Sequence, residues 1–390
     1  MLNLKPSTPG YINSESGLND MITEIDRESF LAFDLEADSM YHFAEKVCLI
    51  QVGTPKATYI IDPLAIPDLS PLSQVLSDPD IVKIFHGADY DVRSLYRDYQ
   101  IAIHNLFDTE LASRFLGNAE TGLNAVLQNR FGITLEKKYQ KKDWSQRPLP
   151  EPMIAYAAGD VQYLIPLYQI QKKELTEKGR LDWVTEECRD LTLVRSGPVN
   201  GRPLFTKAKG AGRLDRRNLA VLEALLELRL QIAEQKDRPL FKVIGNGSLI
   251  KLAVIRPKTL KQLDETNALS AKQKDMYGKS IITIINKALK IPADQLPQYP
   301  RTHAPRISPD VSQRFKELKT WREKKARSLE INSGVLINNA ALQSIAESNP
   351  KNINDLDAIP VLKSWQKKEM GNDIVSYLIK PGKNHNGNKN

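Results

Sequence analysis

The sequence predicts an α/β domain, a mixed sheet flanked by helices, followed by two small all-α units. Three observations predict it. Apolar, β-rich runs alternate with helical periodicity through the first half of the chain. In the second half, residues recur at a constant offset of 93. Charge divides between the two: residues 1–200 hold 20 Lys and Arg against 29 Asp and Glu, net −9, whereas the remainder holds 35 against 18, net +17. At 390 residues the chain exceeds one ordinary core, so two or three domains are expected.

Composition excludes several classes. Two cysteines, Cys48 and Cys188, are too few for a disulfide framework or a zinc cluster, and reduced thiols in a cytoplasmic protein are expected. No apolar run approaches membrane-spanning length, and the start, Met1 to Pro6, lacks the basic and apolar regions of a secretory leader. An acidic half joined to a basic half fits a cation site coupled to a platform for a polyanion. Charge alone does not name the ligand.

After a helix around Asn19 to Ile25, the run Ser29 to Glu36 reads as a strand ending in two carboxylates. Side chains at i and i+2 of a strand share a face, so Asp34 and Glu36 stand side by side. Like charges that close are tolerated where water, a proton or a divalent cation offsets the field; an acidic strand end also serves as a solvated turn. Val47 to Val52 and Ala57 to Asp62 read as further strands, and the short connections, with a Gly53-Thr54-Pro55 turn, predict an antiparallel meander. Tyr41, His42 and Phe43, in the loop beyond the carboxylates, suit either base stacking or loop packing.

Ile81 to Phe85 then reads as a buried strand running through His86-Gly87-Ala88 into a helix. This places Asp89 or Asp91 on a first helical turn at a strand's carboxyl end, the edge where open α/β sheets bind ligands. Either could instead complement the helix dipole. Helices follow near Asp108 to Phe115 and Leu123 to Phe131, stopped by Gly117 and Gly132. Lys137, Lys138, Lys141 and Lys142 lead into a Pro-containing surface loop, Asp143 to Pro150, and a helix is expected over about Glu151 to Glu177. Tyr156 and Asp160 lie one turn apart on it, with small residues between them that would admit a close neighbour.

Asp34-x-Glu36, Asp91 in His-Gly-Ala-x-x-Asp, and Tyr156-x-x-x-Asp160 together resemble the three exonuclease motifs of the DEDD superfamily, in its tyrosine-containing subclass. The surroundings are similar to the ribonuclease D family: Ile50-Gln51-Val52, Ile61-Asp62-Pro63-Leu64, Phe107-Asp108-Thr109, Asp143 to Leu149, and Tyr156 to Leu164. The resemblance spans about residues 12–190. It implies a ribonuclease H-like exonuclease domain, selects Asp91 over Asp89, and implies a catalytic set of Asp34, Glu36, Asp91, Tyr156 and Asp160. Two Mg²⁺ or Mn²⁺ ions are implied, one held by Asp34, Glu36 and Asp160, the other by Asp34 and Asp91, with Tyr156 orienting the attacking water. Carboxylates are the ligands such hard cations prefer. One departure is Asp34-Leu35-Glu36-Ala37, where many members carry Asp-Thr-Glu-Phe; it touches substrate preference and alters no ligand position.

In the basic half, Leu225 matches Leu318, Arg229 Arg322, Ile244 Ile337, Asn246 Asn339, Leu249 Leu342, Ala253 Ala346 and Pro257 Pro350. Each copy resembles a helicase-and-RNase-D C-terminal (HRDC) domain. The organisation predicted is an exonuclease domain at 1–195, a loose connection at 196–213, HRDC domains at 214–294 and 308–380 separated by 295–307, and a disordered tail at 381–390. The composition boundary near Gly201 predicts a separable catalytic half. The reading is a cytoplasmic 3′-to-5′ exoribonuclease, its oligomeric state open with a monomer favoured, that trims structured RNA such as tRNA precursors, releases nucleoside 5′-monophosphates, and uses its basic half as the RNA platform. A DNA exonuclease of the same fold and a catalytically silent RNA-binding protein are the rivals; the second should have lost a carboxylate, and none is lost.

Overall fold

The structure, a computed structural model, describes residues 9–197, 201–300 and 307–379; the tail at 381–390 lies outside them. Strands β1 (Gly10–Ile12), β2 (Phe30–Ala37), β3 (Val47–Gly53), β4 (Thr58–Ile61), β5 (Val82–Phe85) and β6 (Leu106–Asp108) form one mixed sheet in the order β1-β4-β3-β2-β5-β6. The β2-β3-β4 meander is antiparallel as expected, while β5 pairs parallel with β2 and β6 with β5. Thr54 closes the β3-β4 turn: its Oγ1 accepts from Ala57 N at 2.8 Å and its own N–H donates to Ala57 O at 2.8 Å. The three-residue strands β1 and β6 escape the sequence reading because so short a run shows no period.

Helices α1 (Glu15–Ile25), α2 (Ser70–Ser77) and α3 (Asp89–Tyr99) pack into a core with Ile50 and Val52 of β3. Next come α4 (Thr109–Leu116) and α5 (Leu123–Phe131), ending at Gly117 and Gly132 in left-handed conformation, φ 90° and 69°. The single helix expected over Glu151 to Glu177 is two, α6 (Glu151–Gln162) and α7 (Leu164–Glu177), divided at Tyr163 with φ −105° and ψ −2°. Helix α6 covers the sheet face opposite the α1 side, where Met153 and Ala157 pack on Leu49 and Ile60. Its close neighbour is not met through Gly159, which has open space where a Cβ would project. Gly53 supplies the approach instead: a Cβ there would stand 3.2 Å from Val161 O and 3.2 Å from the Ala32 Cβ.

Helix α8 (Leu181–Leu191) leads to the helical half. The first unit comprises α9 (Arg216–Gln235), α10 (Leu240–Val243), α11 (Asn246–Ile255), α12 (Leu260–Glu265) and α13 (Ala271–Ala288). The second comprises α14 (Pro309–Ser328), α15 (Ser333–Leu336), α16 (Asn339–Ser348) and α17 (Ser364–Ile379). The repeat holds at atomic detail. Arg229 Nη1 donates to Ile244 O at 3.0 Å and Asn246 Oδ1 at 2.7 Å, and Arg322 Nη1 to Ile337 O at 2.7 Å and Asn339 Oδ1 at 3.1 Å. Asp237 and Glu330, also 93 apart, both turn with positive φ, 45° and 55°.

Two sequence expectations change. Residues 204–207 and 211–213, placed in a loose connection, form 3-10 turns whose Phe205 and Ala211 are fully buried in the first unit's core. Nor is the basic half separable near Gly201, because the second unit shares one continuous core with the sheet domain. Trp365 stacks on Trp183 at 4.7 Å and meets Phe115 edge-on at 5.5 Å. Glu186 accepts from Ser364 N and Trp365 N at 2.8 and 2.9 Å, and Arg180 bridges Phe115 O and Leu329 O. Among the described residues no helix is long and apolar enough to cross a membrane.

Candidate active site

Asp34, Glu36, Tyr156 and Asp160 line one cleft of about 650 Å³, together with His86, Glu120 and Lys137. Strand β2 delivers the first pair. Leu35 points into the core, so Asp34 and Glu36 share the opposite face, and the bulge between Glu36 and Ala37 ends the regular pairing just beyond them. Helix α6, seated close through Gly53, carries Tyr156 and Asp160 over that face. Asp91 does not line the cleft; it is 6% exposed on the first turn of α3, within the field of Asp34. Asp89 is settled as a surface residue, its carboxylate accepting from Arg93 Nε and Nη2 at 2.7 and 3.0 Å.

Electrostatics sets these groups apart from ordinary carboxylates. Burial raises Asp34 to about 7. Glu36 rises to about 10 through burial and then through Asp34, Asp160 and Asp91. Burial and Asp34 raise Asp160 to about 8, and burial, Asp34 and Asp108 raise Asp91 well above the usual range. Tyr156 is also pushed up, first by burial and then by Asp160, Glu36 and Asp34, so its hydroxyl stays protonated. Among the described residues, no three His, Cys, Asp or Glu side chains are gathered tightly enough to make a ready metal cage. The carboxylates therefore meet through their fields rather than as a closed shell. An all-oxygen set under mutual repulsion suits a hard divalent cation, whose charge would favour the ionised carboxylates and offset both the repulsion and the cost of burial.

Supporting residues that the sequence reading left in the background hold the site. Asp108, buried and at the end of β6, accepts from Gly87 N and Ala88 N at 2.9 and 2.8 Å and from Glu110 N and Leu111 N at 2.8 and 3.2 Å. One carboxylate thus ties the start of α3, and with it Asp91, to the cap of α4. Arg147 donates to both oxygens of Asp62 at 2.5 and 2.6 Å and to Cys48 O at 2.9 Å, while Tyr11 donates to Asp62 at 2.6 Å. Burial opposes ionisation of Asp62, but these donors hold it below the usual carboxylate range. The anchored loop seats Trp144, which with Tyr139 flanks Tyr156 at 6.0 and 5.8 Å.

Tyr41, His42 and Phe43 pack against the helical half. His42 Nδ1 pairs with Asp237 Oδ2 at 2.6 Å, and its Nε2 with Ser145 Oγ at 2.9 Å. Phe43 N donates to Asp237 Oδ1 at 3.0 Å, and Lys242 lies 4.1 Å over the Tyr41 ring. Of the loop lysines, Lys137 reaches the cleft wall. Cys48 and Cys188 are free and buried.

Comparison with known proteins bears on the family of this chain. The family model for 3'-5' exonuclease matches residues 9–176, and that for the HRDC domain matches residues 218–285 and 312–378. The ribonuclease D of Shewanella sp. is 31% identical over 279 residues, covering 71% of this chain and 72% of that protein. The crystal structure of Escherichia coli RNase D superposes with a TM-score of 0.72 at 25% identity, over 95% of this chain and 99% of the other. The catalytic core of RRP6 from Trypanosoma brucei gives 0.64 at 27% identity, over 73% and 83%. Fold, motif order, paired helical units and these likenesses converge: the chain belongs to the ribonuclease D family of 3′-to-5′ exoribonucleases.

Proposed function

We propose that this exoribonuclease hydrolyses RNA with two divalent cations, Mg²⁺ or Mn²⁺, held by Asp34, Glu36, Asp91 and Asp160, and releases nucleoside 5′-monophosphates. The carrying observation is that Asp34, Glu36 and Asp160 line one cleft and Asp91 lies buried within the field of Asp34, so that burial and mutual repulsion suppress the ordinary ionisation of all four. Asp34, Glu36 and Asp160 would hold one ion, and Asp34 with Asp91 the other. Cations there neutralise charge on the scissile phosphate and lower the pKa of a water. Tyr156, kept protonated and fixed between Tyr139 and Trp144, accepts a hydrogen bond from the attacking water and aims it.

The substrate proposed is structured RNA such as a tRNA precursor, with the basic half holding the body of the RNA and the cleft holding its 3′ end. Net +17 beyond residue 200 against −9 before it supports this, as does the likeness to the Escherichia coli enzyme, an exoribonuclease involved in structured RNA processing. The test compares 3′-extended tRNA, unstructured RNA and DNA in one Mn²⁺ buffer with wild type and Asp34→Asn. The expected result is stepwise shortening from the 3′ end with mononucleotide products, tRNA preferred, and no shortening by the variant. Equal rates on DNA would overturn the substrate assignment.

A further inference from the structure

Gln51 of β3 pairs directly with Asp34 of β2. Directly opposed residues of an antiparallel pair share a face, with Cβ atoms about 4.5–5.5 Å apart, so the Gln51 and Asp34 side chains leave the sheet as neighbours on the cleft side. Its other cross-strand neighbour on that face is Ile60, which packs in one cluster with Ala157 and Met153 of α6. Gln51 is 0% exposed, and neither Oε1 nor Nε2 has a hydrogen-bond partner. Leaving a buried amide unsatisfied is destabilising, a cost that Met or Leu in the same space would not incur. A local rule broken this way, beside a cleft, points to function.

We infer that Gln51 is a positioning residue for the hydrolysis. Its Nε2–H donates to the inner oxygen of Asp34 when that carboxylate holds a cation, which leaves the outer oxygen directed into the cleft. An amide suits the place because it donates without adding charge; a lysine would compete with the cations, and a carboxylate would add to the repulsion already present. The inference rests on the reading of Asp34 as a cation ligand. It differs from a packing role in sign, since removing the amide relieves the folded protein while impairing the site.

The experiment uses the full chain with Gln51→Met, and Gln51→Leu in case Met packs poorly. Thermal unfolding is followed without metal and across an Mn²⁺ titration, and kcat and KM are measured on short RNA. The expected result is a metal-free Tm at or above wild type, a half-saturating Mn²⁺ concentration raised about tenfold, and kcat lowered about tenfold with KM little changed. Wild-type Mn²⁺ dependence and kcat would overturn the inference, as would a lowered metal-free Tm in both variants. Asp34→Asn run in parallel separates the two levels: if it hydrolyses RNA normally, the site reading itself fails, whereas an inactive Asp34→Asn beside a fully active Gln51→Met removes Gln51 alone.

Discussion

At the scale of single residues, the cleft carboxylates carry a consequence for pH. The folded pKa values of Asp34 and Asp160, about 7 and 8, lie above the ordinary 3.8. Groups raised in this way contribute stability that is present below the unfolded pKa and lost as pH rises through the folded one. Metal-free protein should therefore lose Tm between about pH 4 and pH 8, Asp34→Asn should lose less, and Mn²⁺ should offset much of the loss; a calorimetric pH series checks the three slopes. Tyr156→Phe keeps the ring between Tyr139 and Trp144 but removes the hydroxyl. Single-turnover hydrolysis should fall about 10²-fold with Mn²⁺ binding unchanged, and loss of Mn²⁺ binding would reassign Tyr156 to structure. Much of this was legible in the sequence. Spacing of two put Asp34 beside Glu36 and spacing of four put Tyr156 beside Asp160, because strand and helix periods are local properties. Asp89 and Asp91 could not be separated by period, since both sit on the first turn of α3; in space Asp91 is buried and Asp89 pairs with Arg93 at the surface.

At the scale of elements, the seating of α6 on β3 brings two halves of the site together. Gly53 reads in sequence as part of a turn, and its real constraint, the carbonyl of Val161, lies 108 positions away in the chain, so no local pattern could show it. Gly53→Ala should push α6 outward by a few tenths of an ångström, costing about 1–3 kcal/mol of stability and a larger share of activity, because Asp160 retreats from Asp34. Denaturant unfolding and turnover on one preparation measure both; full activity at reduced stability would show that the site tolerates the shift. Gly117 offers a contrast at the contact with the second helical unit. A Cβ there would collide with the Glu330 carbonyl, and φ is 90°. Gly117→Ala should thus disturb the docking of the second helical unit and lower Tm more than Gly53→Ala does.

For the whole molecule, the same corner of each repeat docks on the sheet domain: Asp237 of the first unit binds the loop after β2, and the turn at Leu329 and Glu330 of the second meets Arg180 and Gly117. The offset of 93 exposed the repeat, but docking depends on Trp183, Phe115 and Trp365, which look like ordinary core residues in sequence. Because the second unit shares the catalytic core, the role of the basic half is best tested by charge rather than by truncation. Replacing the exposed Lys251, Lys258, Lys261 and Lys272 by Ser should lower the slope of log affinity for tRNA against log salt by about 0.7 for each single-strand phosphate that no longer meets a lysine, with short RNA less affected; an unchanged slope would place the RNA elsewhere. The central claim is that the four carboxylates hold the cations that make this chain a nuclease. Its most direct test is calorimetric Mn²⁺ titration of wild type and Asp34→Asn, paired with hydrolysis of one 5′-labelled RNA by the same samples. The account predicts two ions per wild-type chain, loss of tight binding in the variant, and loss of hydrolysis with it; an Asp34→Asn protein that still cleaves at the wild-type rate would contradict it.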